Sequence, residues 1–126
     1  MWNNEQGRAV PSATPSFERP IDLVHLARQT LGDRSLEQEI LALYLKQAQS
    51  LLQRIEESAC ARERCDIAHT LKGSSRAVGA WQVATAAEAV EIVPPEQKSE
   101  FTRAIAALRT CVSAACDTIS DLQRTH

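Results

Sequence analysis

The clearest helical signal in the chain is FTRAIAALRTCVSAACDTISDL, residues 101–122. Apolar side chains recur there in alternating steps of four and three residues, which is the repeat of one face of an α-helix. A seam of this kind is typical of a long helix that packs at a shallow angle against others in a bundle. The seam positions are Phe101, Ile105, Leu108, Val112, Ala115, Ile119 and Leu122.

Two further long helices are predicted before this one. Residues 36 to about 58 carry a wide apolar stripe, and the pair Ser35 and Gln38 predicts a capping box at its start. Residues 61–78 repeat apolar or small side chains at helical spacing, and Gly79 is expected to end that helix. The positions predicted to face inward on it are Ile67, Leu71, Ser74 and Val78.

Two shorter helices complete the prediction. One follows Pro20 and ends near Gly32, and the other begins after residue 79 and is closed by Pro94 and Pro95. Because four substantial helices with short connections can bury their stripes only against one another, the expected fold is all-α. Its expected architecture is an antiparallel up-down four-helix bundle with a short additional N-terminal helix.

Composition supports one bundle domain. The chain has 126 residues, of which 44% are hydrophobic, enough for one core. Residues 1–20 are polar and proline-containing, so we expect a flexible N-terminal arm followed by the domain at residues 21–126. A formal charge of −2 argues against nucleic acid and anionic membranes as partners. The first residues lack a signal-peptide pattern and no apolar run could span a bilayer, so a cytoplasmic protein is expected.

The four cysteines, Cys60, Cys65, Cys111 and Cys116, form two pairs spaced five residues apart. This spacing fits neither a CxxC redox motif nor the usual zinc ligand pairs. We therefore expect small apolar residues of the core or neighbours on one helix face, with no disulfide and no metal site.

Bundle packing does not account for residues 68–75, AHTLKGSS. Gly73 falls in mid-helix, where glycine costs about 1 kcal/mol relative to alanine. Helical geometry places His69, Lys72 and Gly73 on one face, opposite Leu71 and the other apolar positions. The imidazole of His69 is therefore expected to point to solvent.

This cluster suits phosphoryl chemistry. An exposed imidazole is largely uncharged near neutral pH and can attack as a nucleophile without a general base. Lys72 can balance the charge of a phosphoryl group on the ring, Gly73 leaves room beside it, and Arg76 adds a second cation. A lone histidine is more often an ordinary surface residue, and His25 and His126 are assigned to that class. A helical glycine can also be a packing contact.

The motif AHTLKGSSRAVG, residues 68–79, resembles the His-x-x-Lys-Gly signature of histidine-containing phosphotransfer (HPt) domains, and the resemblance extends over about residues 20–122. It implies that His69 accepts a phosphoryl group from an aspartyl phosphate and passes it to another aspartate, with Lys72 and Gly73 assisting. Gln47 is similar to a second-helix glutamine that can face the histidine. Gln47, Ser74 and Arg76 are the expected phosphoryl or receiver contacts.

The resemblance also implies partners. They are response-regulator receiver domains and a hybrid sensor histidine kinase, with receivers docking on the short first helix around Ile21. The chain itself should have no kinase activity and no cofactor, since Mg²⁺ is expected only on the receiver, and a monomer suffices.

Two alternatives compete with this interpretation. In the phosphoacceptor domain of a sensor kinase, an acidic residue normally follows the histidine, whereas Thr70 follows it here. A non-phosphorylated HPt-like adaptor that binds receivers or kinases uses the same face and stays open.

Overall fold

The computed structural model describes residues 17–124, which fold into five α-helices without a strand. The predicted all-α class is therefore confirmed for this part of the chain. The helices are α1 (Leu23–Gln29), α2 (Arg34–Glu57), α3 (Ala61–Val78), α4 (Trp81–Ile92) and α5 (Lys98–Arg124). Both α2 and α4 pack against α3 and α5, an arrangement consistent with a four-helix bundle, and α1 contacts α2 and α3. None of these helices combines the length and hydrophobicity needed to cross a bilayer.

The seam of α5 faces the core as its spacing predicts. Five of its positions are buried, and Phe101 and Leu122 are half-buried and pack against the same cluster. Burial of one leucine or isoleucine side chain contributes about 1.5–3 kcal/mol, so this seam is a principal source of the bundle's stability. The buried positions are Ile105, Leu108, Val112, Ala115 and Ile119.

On α3, the inward serine is Ser75 and the prediction for Ser74 was wrong. Ser75 is fully buried, and its hydroxyl lies 2.6 Å from that of Tyr44 on α2. Ser74 is half-buried and donates back to the carbonyl of Leu71 at 3.2 Å. Because burial deprives both hydroxyls of water, each needs the other as its partner. Burial raises the pKa of Tyr44, and the hydrogen bond to Ser75 acts in the opposite direction.

The start of α2 also differs from the prediction of a capping box at Ser35 and Gln38. Asp33 is the N-cap, and its carboxylate accepts a hydrogen bond of 3.0 Å from the backbone N–H of Leu36. The negative charge of Asp33 also interacts favourably with the positive end of the helix dipole. An aspartate two residues upstream of Ser35 therefore starts the helix earlier.

The turn between α3 and α4 is hydrogen-bonded to Asp22, the residue before α1. Gly79 ends α3 as predicted, with φ of +82°, and a Cβ there would lie 2.9 Å from the backbone oxygen of Asp22. The N–H of Asp22 donates to the Gly79 carbonyl, and the carboxylate of Asp22 accepts from the indole of Trp81, both at 2.9 Å. His25 packs edge-on against Trp81 with 4.8 Å between ring centroids. His25 is thus half-buried, which corrects its assignment to the surface; His126 lies outside the described residues.

The predicted ends of the two short helices hold to within a few residues. The α1 helix ends at Gln29, and the N–H of Gly32, at φ +79°, donates to the carbonyl of Ala27 at 2.9 Å. The α4 helix ends at Ile92, two residues before Pro94. Of the predicted N-terminal arm, residues 1–16 lie outside the described part of the chain.

All four cysteines are free. Cys116 is buried in the core, and Cys65 and Cys111 are half-buried, so these three fit the expectation of packing residues. Cys60 is exposed at the N-cap of α3 and does not fit it. Burial raises the pKa of the thiols of Cys111 and Cys116.

Candidate functional site

The outer face of α3 presents His69 to solvent. Its side chain is 67% exposed, whereas the neighbouring Ala68 and Leu71 are fully buried. This difference follows from helical geometry, because the residues of α3 that pack in the core lie on one side of the helix and His69 lies on the other. The expectation that the imidazole points to solvent is confirmed.

A residue that the sequence analysis missed contacts the ring. Glu91, in the last turn of α4, places Oε2 2.8 Å from Nδ1 of His69 and Oε1 2.8 Å from Nζ of Lys72. One carboxylate therefore joins the histidine and the lysine, which lie one turn apart on α3. The sequence held one signal for this contact. If the chain reverses direction at Ala80, His69 and Glu91 come side by side, because each lies eleven residues from the reversal.

Charge fixes the direction of the hydrogen bond. Contact with Lys72 lowers the pKa of Glu91 most, partial burial opposes this, and contact with His69 lowers the pKa further. Glu91 is therefore ionised at neutral pH and can only accept hydrogen bonds. It follows that Nδ1 of His69 carries a proton and donates a hydrogen bond to Glu91, so that in the uncharged ring the lone pair lies on Nε2.

Lys72 is less available than the sequence suggests. Its side chain is only 14% exposed, and its ammonium forms the ion pair with Glu91. The ammonium that was expected to balance phosphoryl charge thus already has an anionic partner. Arg76, one turn further along α3, is exposed and has no ion pair within residues 17–124.

Gly73 lies open to solvent beside this cluster. A Cβ built on it would meet no atom within 4 Å, once its own helix backbone and chain neighbours are set aside. This excludes the alternative that Gly73 is a packing contact within the described chain. The packing of the described chain therefore gives no reason for glycine at this position.

The remaining predicted contacts, Gln47 and Ser74, lie together but not around the imidazole. Both line a groove of about 380 Å³ between α2 and α3, and within the described residues Gln47 makes no hydrogen bond to His69. Most of the groove surface is apolar. Its other lining residues are Ile40, Leu43, Tyr44, Ala77 and Val78.

The expected docking contact at Ile21 was wrong, because this side chain is only 1% exposed and belongs to the core. Exposed apolar side chains of α1, α2 and the turn between them include Val24 at 57%, Leu31 at 94% and Leu43 at 69%, with Leu23 and Leu36 less exposed. Residues 17–124 hold no group of three or more acidic, cysteine or histidine side chains arranged to bind a metal ion.

Comparison with known proteins assigns a family. The model of the Hpt domain matches residues 39–121, about two-thirds of the chain, from within α2 to near the end of α5. No match was found among curated proteins or among solved structures. Hpt domains act in phosphorelays, where they carry phosphoryl groups on histidine between kinases and receiver domains and are not themselves kinases. With His69, Lys72 and Gly73 inside the matched range, the chain belongs to the Hpt domain family.

Proposed function

We propose that the protein accepts a phosphoryl group on Nε2 of His69 from a receiver-domain aspartyl phosphate and passes it to a second response-regulator receiver. The observation that carries the proposal is the contact between Nδ1 of His69 and Glu91 on a side chain that is 67% exposed. Since Nδ1 is occupied as a donor, the lone pair of the ring lies on Nε2 and is free to attack.

The transfer step requires no general base. Nε2 attacks the phosphorus, the bond from phosphorus to the receiver's carboxylate oxygen breaks, and the carboxylate leaves with that electron pair. The proton stays on Nδ1, and Glu91 balances the positive charge that develops on the ring. In the reverse direction, an incoming carboxylate attacks the phosphorus and the uncharged imidazole leaves.

Three other residues support this chemistry. Lys72, held beside the ring by Glu91, can share its ammonium with the phosphoryl oxygens. Gly73 leaves space for the receiver to approach in line. Arg76, which has no ion pair within the described residues, suits contact with the acidic site of a receiver, and Gln47 and Ser74 suit contact with its surface. The receiver would supply the aspartate and Mg²⁺, so this chain would need no cofactor.

We also propose the partners, the location, the oligomeric state and the domain bounds of the protein. Its partners would be response-regulator receivers and a hybrid sensor histidine kinase, in the cytoplasm, with the chain a monomer that has no kinase activity and no nucleic-acid or membrane partner. Residues 21–126 would form the domain, preceded by an arm at 1–20. Linkers of three residues (58–60) and two residues (79–80) support an antiparallel up-down order, because neighbours joined so closely must reverse direction.

Phosphotransfer profiling tests the proposal. The purified chain is presented with each ³²P-labelled receiver of its own cell, and receivers are ranked by initial transfer rate. We expect acid-labile label on the wild type, none on His69→Gln, and near-normal transfer to Gln53→Ala on the exposed surface of α2. Receiver binding without transfer of label would instead establish the adaptor function.

A further inference from the structure

We propose that Glu91 sets the lifetime of the phosphorylated protein by keeping the proton on Nδ1 of phosphorylated His69. The inference rests on the proposed function, in that His69 must carry the phosphoryl group. It goes further, because it assigns to Glu91 control over how readily that group is lost. The supporting geometry is the 2.8 Å contact between Oε2 and Nδ1, made from a different helix.

The proton on Nδ1 affects how fast phosphohistidine loses its phosphoryl group to water. When a water molecule attacks the phosphorus, the bond from phosphorus to Nε2 breaks and its electron pair returns to the ring. If Nδ1 is protonated, the leaving group is an uncharged imidazole and the products are that ring and inorganic phosphate. If Nδ1 has lost its proton, the leaving group is an imidazolate anion, which is far more basic and leaves more slowly.

Glu91 is the charged group in contact with this proton. From α4 it brings a carboxylate that is ionised at neutral pH and therefore favours the protonated ring. From α3, Lys72 binds the other carboxylate oxygen and weakens this effect without removing the contact. The thiol of Cys65, also on α3, donates to the backbone carbonyl of Glu91 at 3.4 Å and fixes that turn of α4.

Other charged groups near the ring make no contact with it in the described structure. On α3, Asp66 and Arg76 are exposed and lie three residues before and seven residues after His69. The α2 residue predicted to face the ring, Gln47, is uncharged. Glu91 is therefore the acceptor whose charge acts directly on Nδ1.

The carboxylate of Glu91 has two partners, since Lys72 lies 2.8 Å from Oε1 and His69 lies 2.8 Å from Oε2. Glu91 lies in the last turn of α4, where the negative end of the helix dipole disfavours a negative charge. A glutamine there would accept the same hydrogen bond from Nδ1 but would form no ion pair with Lys72. The charge of Glu91 therefore acts on both Lys72 and the imidazole of His69.

The test uses chemical loading, so that no receiver or kinase is needed. Wild type, Glu91→Gln and the control Glu88→Gln are phosphorylated with phosphoramidate, freed of reagent and followed by ³¹P NMR between pH 5 and 9. The Glu91→Gln variant keeps a hydrogen-bond acceptor beside the ring but no charge, and Glu88 is an exposed carboxylate three residues earlier on α4. Circular dichroism checks that each variant has the wild-type helix content.

We expect Glu91→Gln to lengthen the half-life of the phosphorylated protein at pH 7 by roughly three- to tenfold, with the rise in half-life beginning about one pH unit lower. Glu88→Gln should match the wild type at every pH. Equal lifetimes and pH profiles in wild type and Glu91→Gln, or a shorter lifetime in the variant, would overturn the inference. Loading of His69→Gln to the wild-type level would instead refute the proposed function.

Discussion

Replacing Gly73 by alanine should stabilise the fold and slow phosphotransfer at the same time. In the interior of α3 the change removes the backbone entropy cost of glycine, worth about 1 kcal/mol. The new Cβ meets no atom within 4 Å, so no steric cost offsets that gain. In a domain of this size, about 1 kcal/mol raises Tm by roughly 3–5 °C.

The effect on transfer comes from the partner. A methyl group at residue 73 occupies space beside the imidazole that the proposed mechanism gives to the receiver. Misplacement by about 1 Å can cost on the order of 100-fold in rate, so a fall of about tenfold is expected for alanine. Gly73→Arg should abolish transfer while helix content is unchanged.

Gly79→Ala is the matched control, because it makes the same chemical change at the end of the same helix. There φ is +82° and the new Cβ would lie 2.9 Å from the backbone oxygen of Asp22. This variant should lose at least about 1 kcal/mol of stability. Urea unfolding monitored by circular dichroism gives the stabilities, and initial transfer rates from a labelled receiver give the activity.

Two results would refute the reasoning about Gly73. Destabilisation by Gly73→Ala would mean that the fold itself requires glycine at this position. Stabilisation with an unchanged transfer rate, and transfer retained in Gly73→Arg, would mean that the receiver does not approach this side of the ring.

Three further substitutions give independent expectations. His69→Gln should eliminate acid-labile phosphate after incubation with a labelled receiver, with an unchanged circular dichroism spectrum; residual label would place the acceptor elsewhere. Tyr44→Phe should cost about 1–2 kcal/mol in urea unfolding, because it leaves the buried hydroxyl of Ser75 without a partner, and a neutral result would show that water replaces the lost bond. Because the folded-state pKa of Glu91 is lowered, its ionised form contributes stability above its usual pKa, and that contribution is lost as pH falls through the lowered folded value. Urea midpoints from pH 7 to pH 3 should therefore fall less steeply in Glu91→Gln than in wild type, and parallel curves would contradict the assignment.

The helices could be predicted from the spacing of their apolar residues. The same spacing left an uncertainty of one residue about which side chains face the core. On α5 the alternation of four and three residues has no gap, so the seam through Leu108 could be assigned directly. On α3, steps of three and four after Leu71 both fit a period of 3.6, and they lead to Ser74 and Ser75 respectively. Only the hydroxyl of Tyr44, brought by another helix, decides which serine is inside.

The residues of the candidate site that lie on α3 could be predicted from the sequence. His69, Lys72 and Gly73 lie within five residues, so one helix brings them to one side. Glu91 is 22 residues away, and its contact depends on how α4 packs against α3 after the reversal near Ala80, which the spacing of residues within one helix does not report. The ion pair of Lys72 was missed for the same reason.

The attachment of α1 has a consequence for recognition. A helix of seven residues is not stable by itself in water. Asp22 attaches the start of α1 to the turn between α3 and α4, because its N–H donates to Gly79 and its carboxylate accepts from Trp81. The exposed side chain of Val24 on α1 is thereby held in place before any partner binds. For the proposed receiver, docking on α1 would cost no free energy for ordering this helix, and His69 would lie at the same distance from it at every encounter.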